Sequence, residues 1–324
     1  MNTANLNNIQ RTVEGLNLSR KDGCKLIASE QAIYIKPKEK NKVSIIVCGR
    51  NGFETMMGYL LGENLADAII TDPNLNPYAI MRTAITVDRG KGVLFLCGYE
   101  EQERNAVLSA GGLLEEAGFS SEVVYLWDNI DPDATGGENE KRASAGIFFC
   151  TKIAGAAAAQ GLSLKETYYI AREARALTKS ISVGVRSGKT QQELNSILEM
   201  PADLELGLGS SREQECRKIS FRTEKDFVER IAFHLLCESR IRPGDTICAY
   251  ISGIGGVCFS DLCRVSFLLH QVLEEKKMRI YDTVINPIPF KSNTLGVTVS
   301  LMRLPDEMKP YYDAPCRALY YEKA

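Results

Sequence analysis

GVLFLCG, residues 92–98, is seven residues without a charge, closed by a glycine at each end. A strand that is apolar on both faces has to be covered on both faces. KVSIIVC (42–48) and SEVVYLW (121–127) are further strands rich in apolar residues, and ADAIIT is a shorter one. Between them run stretches of helical period, TMMGYLLGENLA, PYAIMRTAITVD and NAVLSAGGLLEEAG, the last ending at Gly118. Strand and helix in alternation predict a mostly parallel sheet flanked by helices, the α/β class.

The second half has a different rhythm. DNIDPDATGGENEKRASAG (128–146) is polar and reads as a solvated surface loop, and FFCTKIAGAAAAQG (148–161) as a closely packed, alanine-rich helix. LKETYYIAREARALTKS continues in helical period. ISVGVR (181–186) and DLELGLG (203–209) are strand-like. EKDFVERIAFHLLCESR (224–240) sets Phe227, Val228, Ile231, Leu235 and Leu236 on one helical face. TICAYISG (246–253) reads as a strand, and SDLCRVSFLLHQVLEEKK (260–277) as a helix with Ser260 as N-cap. MRIYDTVIN and LGVTVSLMRL look like neighbouring strands of a meander. The expectation is two α/β domains, residues 1–180 and 181–324, with the last strand and tail free to pack back on the first.

Charge and cysteine usage exclude several classes. A net charge of −2 and a pI near 5.9 give no electrostatic footprint for nucleic acid or an anionic membrane. No apolar run nears the roughly 18 residues that span a bilayer. The N-terminal MNTANLNNIQRTVEG lacks a signal-peptide pattern. Ten dispersed cysteines without a CxxC, and only two histidines, argue against a metal site and for reduced thiols packed as small hydrophobes. These features predict a cytoplasmic protein with no metal.

VCGRNGFET (47–55) carries the functional question. A strand, a glycine-containing turn and a helix commonly build a small-molecule site, yet this turn holds Arg50 and Phe53. The order of KVSIIVCGRNGFE, VDRGKGVLFLCGY, KIAGAAAAQG with SLKE, ISVGVR, LELGLGS, PGDTICAYISGIGG and YDAP (312–315) resembles the substrate-binding K subunit of dihydroxyacetone kinases over nearly the whole chain. The resemblance implies two α/β domains and a homodimer. It also implies a ketone held as a hemiaminal on a histidine, with an aspartate and a second histidine serving the hydroxyl that attacks phosphorus. The nucleotide belongs to a separate L-type subunit or domain. No Walker-type GxxxxGK[ST] occurs here, so no cofactor is expected on this chain.

Matched onto this sequence, the three chemical positions of the family fall on Phe53, Gln102 and Ser211. None supplies the family's imidazole or carboxylate. Flanking residues do match: Gly49, Gly52 and Glu54 in the first turn, Tyr99 in the second, and Gly207, Gly209 and Glu213 in the third. Cys97 stands at a lysine position, and Cys48, Arg50 and Arg212 at glycine positions. The ligand-binding candidates are thus Gly49, Arg50, Gly52, Cys97, Tyr99, Gln102, Gly209, Ser211 and Arg212. Arg50 and Arg212 either line a pocket for an anion or pair with Glu100, Glu101, Glu103 and Glu213. Cys48 and Cys97 are either thiol nucleophiles or buried fillers. SGIGG (252–256) is a weak phosphate-loop signal, without the lysine or the spacing. His234 and His270 fall in second-half helices, away from these turns.

The expected function is a divergent K-like protein without kinase activity of its own, serving as a ligand-sensing or regulatory paralogue or as an inactive partner. The alternative is the substrate-binding subunit of a phosphotransferase that acts on another small carbonyl or anionic substrate. Possible partners are a second copy, an L-type subunit, an intact K subunit or a transcription regulator.

Overall fold

The computed structural model describes residues 3–19, 25–29, 31–36, 41–49, 56–72, 74–130, 142–186, 196–199, 204–206, 218–290 and 294–324. The chain forms two compact units, each assembled from separate stretches. The first holds residues 1–126, 150–173 and 310–324, and the second 127–149 and 174–309. Residues 127–149, which the sequence reading sets in the first domain, belong to the second unit, and the tail belongs to the first.

The first unit opens with α1 (Thr3–Ser19), a helix that its polar sequence does not announce. The Asn17 side chain ties it to β1 (Leu26–Ala28), donating to the Leu26 carbonyl and accepting from the Leu26 amide, both at 2.8 Å. There follow β2 (Ala32–Ile35), β3 (Lys42–Cys48), α2 (Met57–Leu60), β4 (Gly62–Glu63), β5 (Ala68–Ile70), α3 (Pro77–Val87), β6 (Gly90–Gly98), α4 (Glu101–Glu116), β7 (Ser121–Leu126), α5 (Ile147–Ala159) and α6 (Leu164–Ala176). The main sheet runs β1-β2-β5-β3-β6-β7. Its β5, β3, β6 and β7 are parallel, and β1 and β2 add an antiparallel edge.

Every residue of β3 is buried, as an apolar strand at the centre of a covered sheet requires. Pro77 opens α3 with its missing N–H at no loss, and the Asn76 side chain accepts from the Tyr78 amide. Ile80, Ala84 and Val87 of α3 join Val107, Ala110 and Leu114 of α4 over Ile46, Ile70 and Phe95. Burying a large apolar side chain of this kind is worth about 1.5–3 kcal/mol.

Two expected helices are shorter than their period suggests. TMMGYLLGENLA is helical only over Met57–Leu60, because Gly62 and Glu63 leave to pair as β4. LKETYYIAREARALTKS ends its helix at Ala176, and Thr178–Ser180 enter a strand instead.

In the second unit, β8 (Thr178–Arg186), β9 (Leu204–Leu206) and β10 (Lys218–Ile219) precede α7 (Glu224–Ser239), β11 (Thr246–Ile254), α8 (Phe259–Glu275), β12 (Arg279–Phe290) and β13 (Thr294–Arg303). The order is β10-β9-β8-β13-β11-β12. The expected meander of β12 and β13 is therefore corrected: β11 lies between them, parallel to β12 and antiparallel to β13. β11 is buried along all but its first residue, and a strand so enclosed is paired on both edges. The N-cap of α8 is Cys258, not Ser260, which lies inside the helix.

Alternation gives this second sheet two unlike faces. Ile181, Val183, Val297, Val299, Ile247 and Ile251 pack with α7 and α8. The opposite face carries hydroxyls that satisfy each other: Ser180–Ser300 at 2.6 Å, Ser182–Thr298 at 2.8 Å, and Asn286 donating to the Tyr250 hydroxyl at 2.9 Å. Asp128 joins this network. It accepts from the Ser144 and Gly146 amides, both at 2.9 Å, and from the Ser180 hydroxyl. Burial raises its carboxyl, and these donors pull it part of the way back. The first residue of the loop expected to be solvated is thus a buried hub; residues 131–141 lie outside the described residues.

The tail returns through α9 (Lys309–Tyr312), β14 (Cys316–Ala318) and β15 (Glu322–Lys323), forming a small sheet β15-β14-β4. Tyr59 lies between Tyr320 and Tyr321, with ring centroids 6.2 and 6.5 Å away. Burial, then the neighbouring Tyr320, pushes the Tyr59 phenol from 10.0 up to about 12. The folded chain therefore holds this proton where the unfolded chain has lost it. Its contribution to stability is complete below pH 10.0 and is lost as pH climbs toward about 12. Thermal melts across that range should fall more steeply for the native chain than for Tyr59→Phe; parallel curves would refute the assignment.

Candidate functional site

Strand order places a topological switch in the first unit. From β3 the chain goes to β5 on one side, then crosses to β6 on the other and continues to β7. Open α/β sheets bind ligands at the carboxyl ends of strands where such a reversal occurs. Here that crevice lies between β3 and β6, where Cys48 and Cys97 are register partners. Gly49 follows directly and is buried.

The crevice floor is made of thiols. Burial, reinforced by Cys48 and Glu103, pushes the Cys97 thiol well above its usual range. Its Sγ donates to the Glu103 carbonyl at 3.7 Å. A thiol in that environment stays protonated at neutral pH and is a poor nucleophile.

The rim comes from the turn into α4. Tyr99 is half-buried, meets Tyr125 edge-on at 5.8 Å, and lies under the Arg104 guanidinium at 4.6 Å. Such cation–aromatic contacts fix a ring and a charge together. Burial, then Cys97, raises the Tyr125 phenol, with Arg104 opposing. Gln102 is exposed on the first turn of α4, and its amide reaches the Asn74 carbonyl at 3.5 Å.

Glu103, a carboxylate adjacent to Gln102, turns inward. It accepts from the Glu100 amide at 3.1 Å within a capping box and packs against Gly98, where there is no room for a Cβ. Arg104 and Tyr125 were not singled out by the sequence reading, and Glu103 was named there only as an acid that Arg50 or Arg212 could pair with. The signal for Glu103 was present, since Glu100 and Glu103 have capping-box spacing at a helix start.

The structure thus brings Gly49, Cys97, Tyr99 and Gln102 to one end of the first sheet. Arg50, Gly52, Phe53, Gly209, Ser211 and Arg212 lie outside the described residues. Of the histidines, His234 packs edge-on to Phe233 at 5.5 Å on α7, and His270 Nε2 is 2.8 Å from the Thr283 hydroxyl. SGIGG begins inside β11, with Gly255 at φ +63° in the turn that follows. Among the described residues no cluster of His, Cys, Asp and Glu could hold a metal ion, and no helix is long and apolar enough to cross a membrane.

The Dak1 domain model matches residues 14–320. The chain belongs to the Dak1 domain family. This Dak1 chain is 28% identical over 295 residues to the dihydroxyacetone-binding subunit DhaK of PTS-dependent dihydroxyacetone kinase 2 from Listeria innocua serovar 6a, across 88% of this chain and 86% of that protein. Its fold matches a solved structure concerning regulation of the dha operon of Lactococcus lactis, with a TM-score of 0.82, 18% identity, and coverage of 97% and 95%. It also matches the dihydroxyacetone kinase operon co-activator DhaQ, with a TM-score of 0.79, 19% identity, and coverage of 96% and 97%. The α/β architecture of the K subunit is therefore that of this chain, as the sequence resemblance implies.

Proposed function

We propose that this Dak1-family chain is a DhaK-like protein that does not transfer phosphoryl groups by itself and acts as a ligand-sensing or regulatory paralogue. Gln102 carries the reading. It occupies the position where the family resemblance expects the aspartate base, and a carboxamide cannot take a proton from an attacking hydroxyl. The neighbouring carboxylate, Glu103, is held in a helix cap, where it accepts from the Glu100 amide. Phe53 and Ser211, at the family's two histidine positions, add to the same deficit. The fold likeness to the co-activator DhaQ supports a regulatory role for such a scaffold. The chain acts in the cytoplasm as a homodimer, and its partner is a transcription regulator or an intact K subunit.

The test combines the purified chain with a phosphoryl-charged L-type subunit and dihydroxyacetone. Product formation is expected to stay at the rate of the L-type subunit alone, and Gln102→Asp is expected not to raise it. Turnover above that rate would overturn the reading.

The alternative, a substrate-binding subunit with another small carbonyl or anionic substrate, is favoured by near full-length similarity to the Listeria protein. Arg50 and Arg212, in two family ligand loops, suit a phosphate or carboxylate. Calorimetry with dihydroxyacetone and dihydroxyacetone phosphate separates the two: heat with the phosphate only, together with turnover of an anionic substrate, would favour the alternative.

A further inference from the structure

A second chemical centre lies in the first unit, away from the carboxyl ends of its sheet. Lys152, on α5, is completely buried, an uncommon state for a lysine. Its Nζ is 3.2 Å from Cys316 Sγ on β14 and 3.3 Å from the Ala314 carbonyl. The Tyr312 and Tyr321 rings enclose it, with centroids 5.4 and 5.5 Å from Nζ. Cys316 is itself buried and in no disulfide. The amine and the thiol are therefore held in contact by a helix on one side and a strand on the other.

We propose that Lys152 and Cys316 are a redox-sensitive pair that joins through a single oxygen atom, Nζ–O–Sγ, and fastens the C-terminal segment to α5. The oxidant is dioxygen, small and apolar enough to reach a buried site. Sulfur and nitrogen each give up two electrons, and the dioxygen takes up all four. One of its oxygens becomes the bridge. The other leaves as water with the thiol proton and one amine proton. An N–H and the S–H bond break, and N–O and S–O bonds form. A thiol reductant reverses the change, cleaving the bridge to amine and thiol and releasing its oxygen as water.

The geometry distinguishes this pair from the exposed thiols Cys237 and Cys258, which lie open to sulfenic acid formation or mixed disulfides. A bridge from residue 152 to residue 316 would also close a long chain loop, which stabilises the folded state by restricting the unfolded one.

The test is mass spectrometry of the full chain after exposure to air-saturated buffer, followed by peptide mapping. The expected species is heavier by about 14 Da, one oxygen gained and two hydrogens lost, against about 16 Da for a sulfenic acid. Its mapped peptides should join Lys152 to Cys316, dithiothreitol should release them, and the oxidised chain should melt at a higher temperature than the reduced one. Lys152→Met and Cys316→Ser should each abolish the crosslinked peptide. Mapping of the native chain decides even if neither variant folds. Lys152 and Cys316 recovered separately, with Cys316 unmodified or carrying oxygen alone, would overturn the proposal.

Discussion

Replacing Arg89 with methionine is expected to lower the unfolding free energy by about 3–5 kcal/mol, the usual consequence of leaving one partner of a buried ion pair alone. That is a large share of the about 5–15 kcal/mol that holds a typical domain. Arg89 and Asp67 are an ion pair, and their side chains are 7% and 2% exposed. Asp67 also accepts from the Ile45 amide at 2.9 Å, so its carboxylate fastens the start of β5 to the middle of β3. Burial raises the Asp67 carboxyl; Arg89, Lys42 and the Ile45 amide pull it back without overcoming burial. Without Arg89 the strongest of these counterweights is gone, and folding must bury a charge or take up a proton. Asp67→Asn in the Arg89→Met background should recover much of the loss, because a carboxamide is neutral and still accepts from Ile45. Urea unfolding of both variants decides the matter. A loss below about 1 kcal/mol in Arg89→Met, typical of a surface pair, would show that this pair does not hold the sheet together.

Little in the sequence marks that pair. Asp67 and Arg89 are 22 positions apart, in ADAIIT and VDRGK, and nothing in either stretch announces that they pair. What was legible was the pattern with the strongest physical cause. β3 and β6 are apolar because they are covered on both faces, and α3 and α7 show their buried stripes at helical spacing. The short elements were not. β4, β14 and β15 have only two or three residues, too few for a period, and exist because the tail returns to pair with Gly62 and Glu63. The helix α1 was missed because its polar sequence carries few of the apolar residues from which a helical stripe is read; Val13 is buried, and the junction to β1 is made by an asparagine.

The site divides in the same way. Gly49, Cys97, Tyr99 and Gln102 follow from the strand–turn–helix order, since the ends of adjacent parallel strands must be neighbours. Glu103 and Arg104 could not be placed from order alone, because their roles depend on which way each side chain turns at the start of α4. One faces in to the cap, and the other lies over Tyr99. That difference ties the Glu103 carboxylate into the cap and leaves an aromatic ring and a guanidinium at the rim.

Gly155→Ala is the second substitution with a large expected effect, and its sign runs against helix propensity. In a helix, alanine is favoured over glycine by about 1 kcal/mol. Gly155 sits in the middle of α5, where a Cβ would fall 2.6 Å from the Asn64 carbonyl carbon and 2.8 Å from Leu65 Cα. Both are backbone atoms and cannot rotate away. The turn they belong to is itself held, because the Asn64 side chain donates to the Pro315 carbonyl at 2.9 Å. Overpacking of this kind typically costs about 1–3 kcal/mol, and here it would also displace the tail. Gly112→Ala is the control. On the exposed face of α4 a Cβ at Gly112 meets nothing within 4 Å, so the same change should stabilise by about 0.5–1 kcal/mol. Opposite shifts in melting temperature are expected for the two variants. If Gly155→Ala instead raised it as Gly112→Ala does, the close approach of α5 to the 64–65 turn would be refuted. The contact that seats the tail beside Lys152 would fall with it.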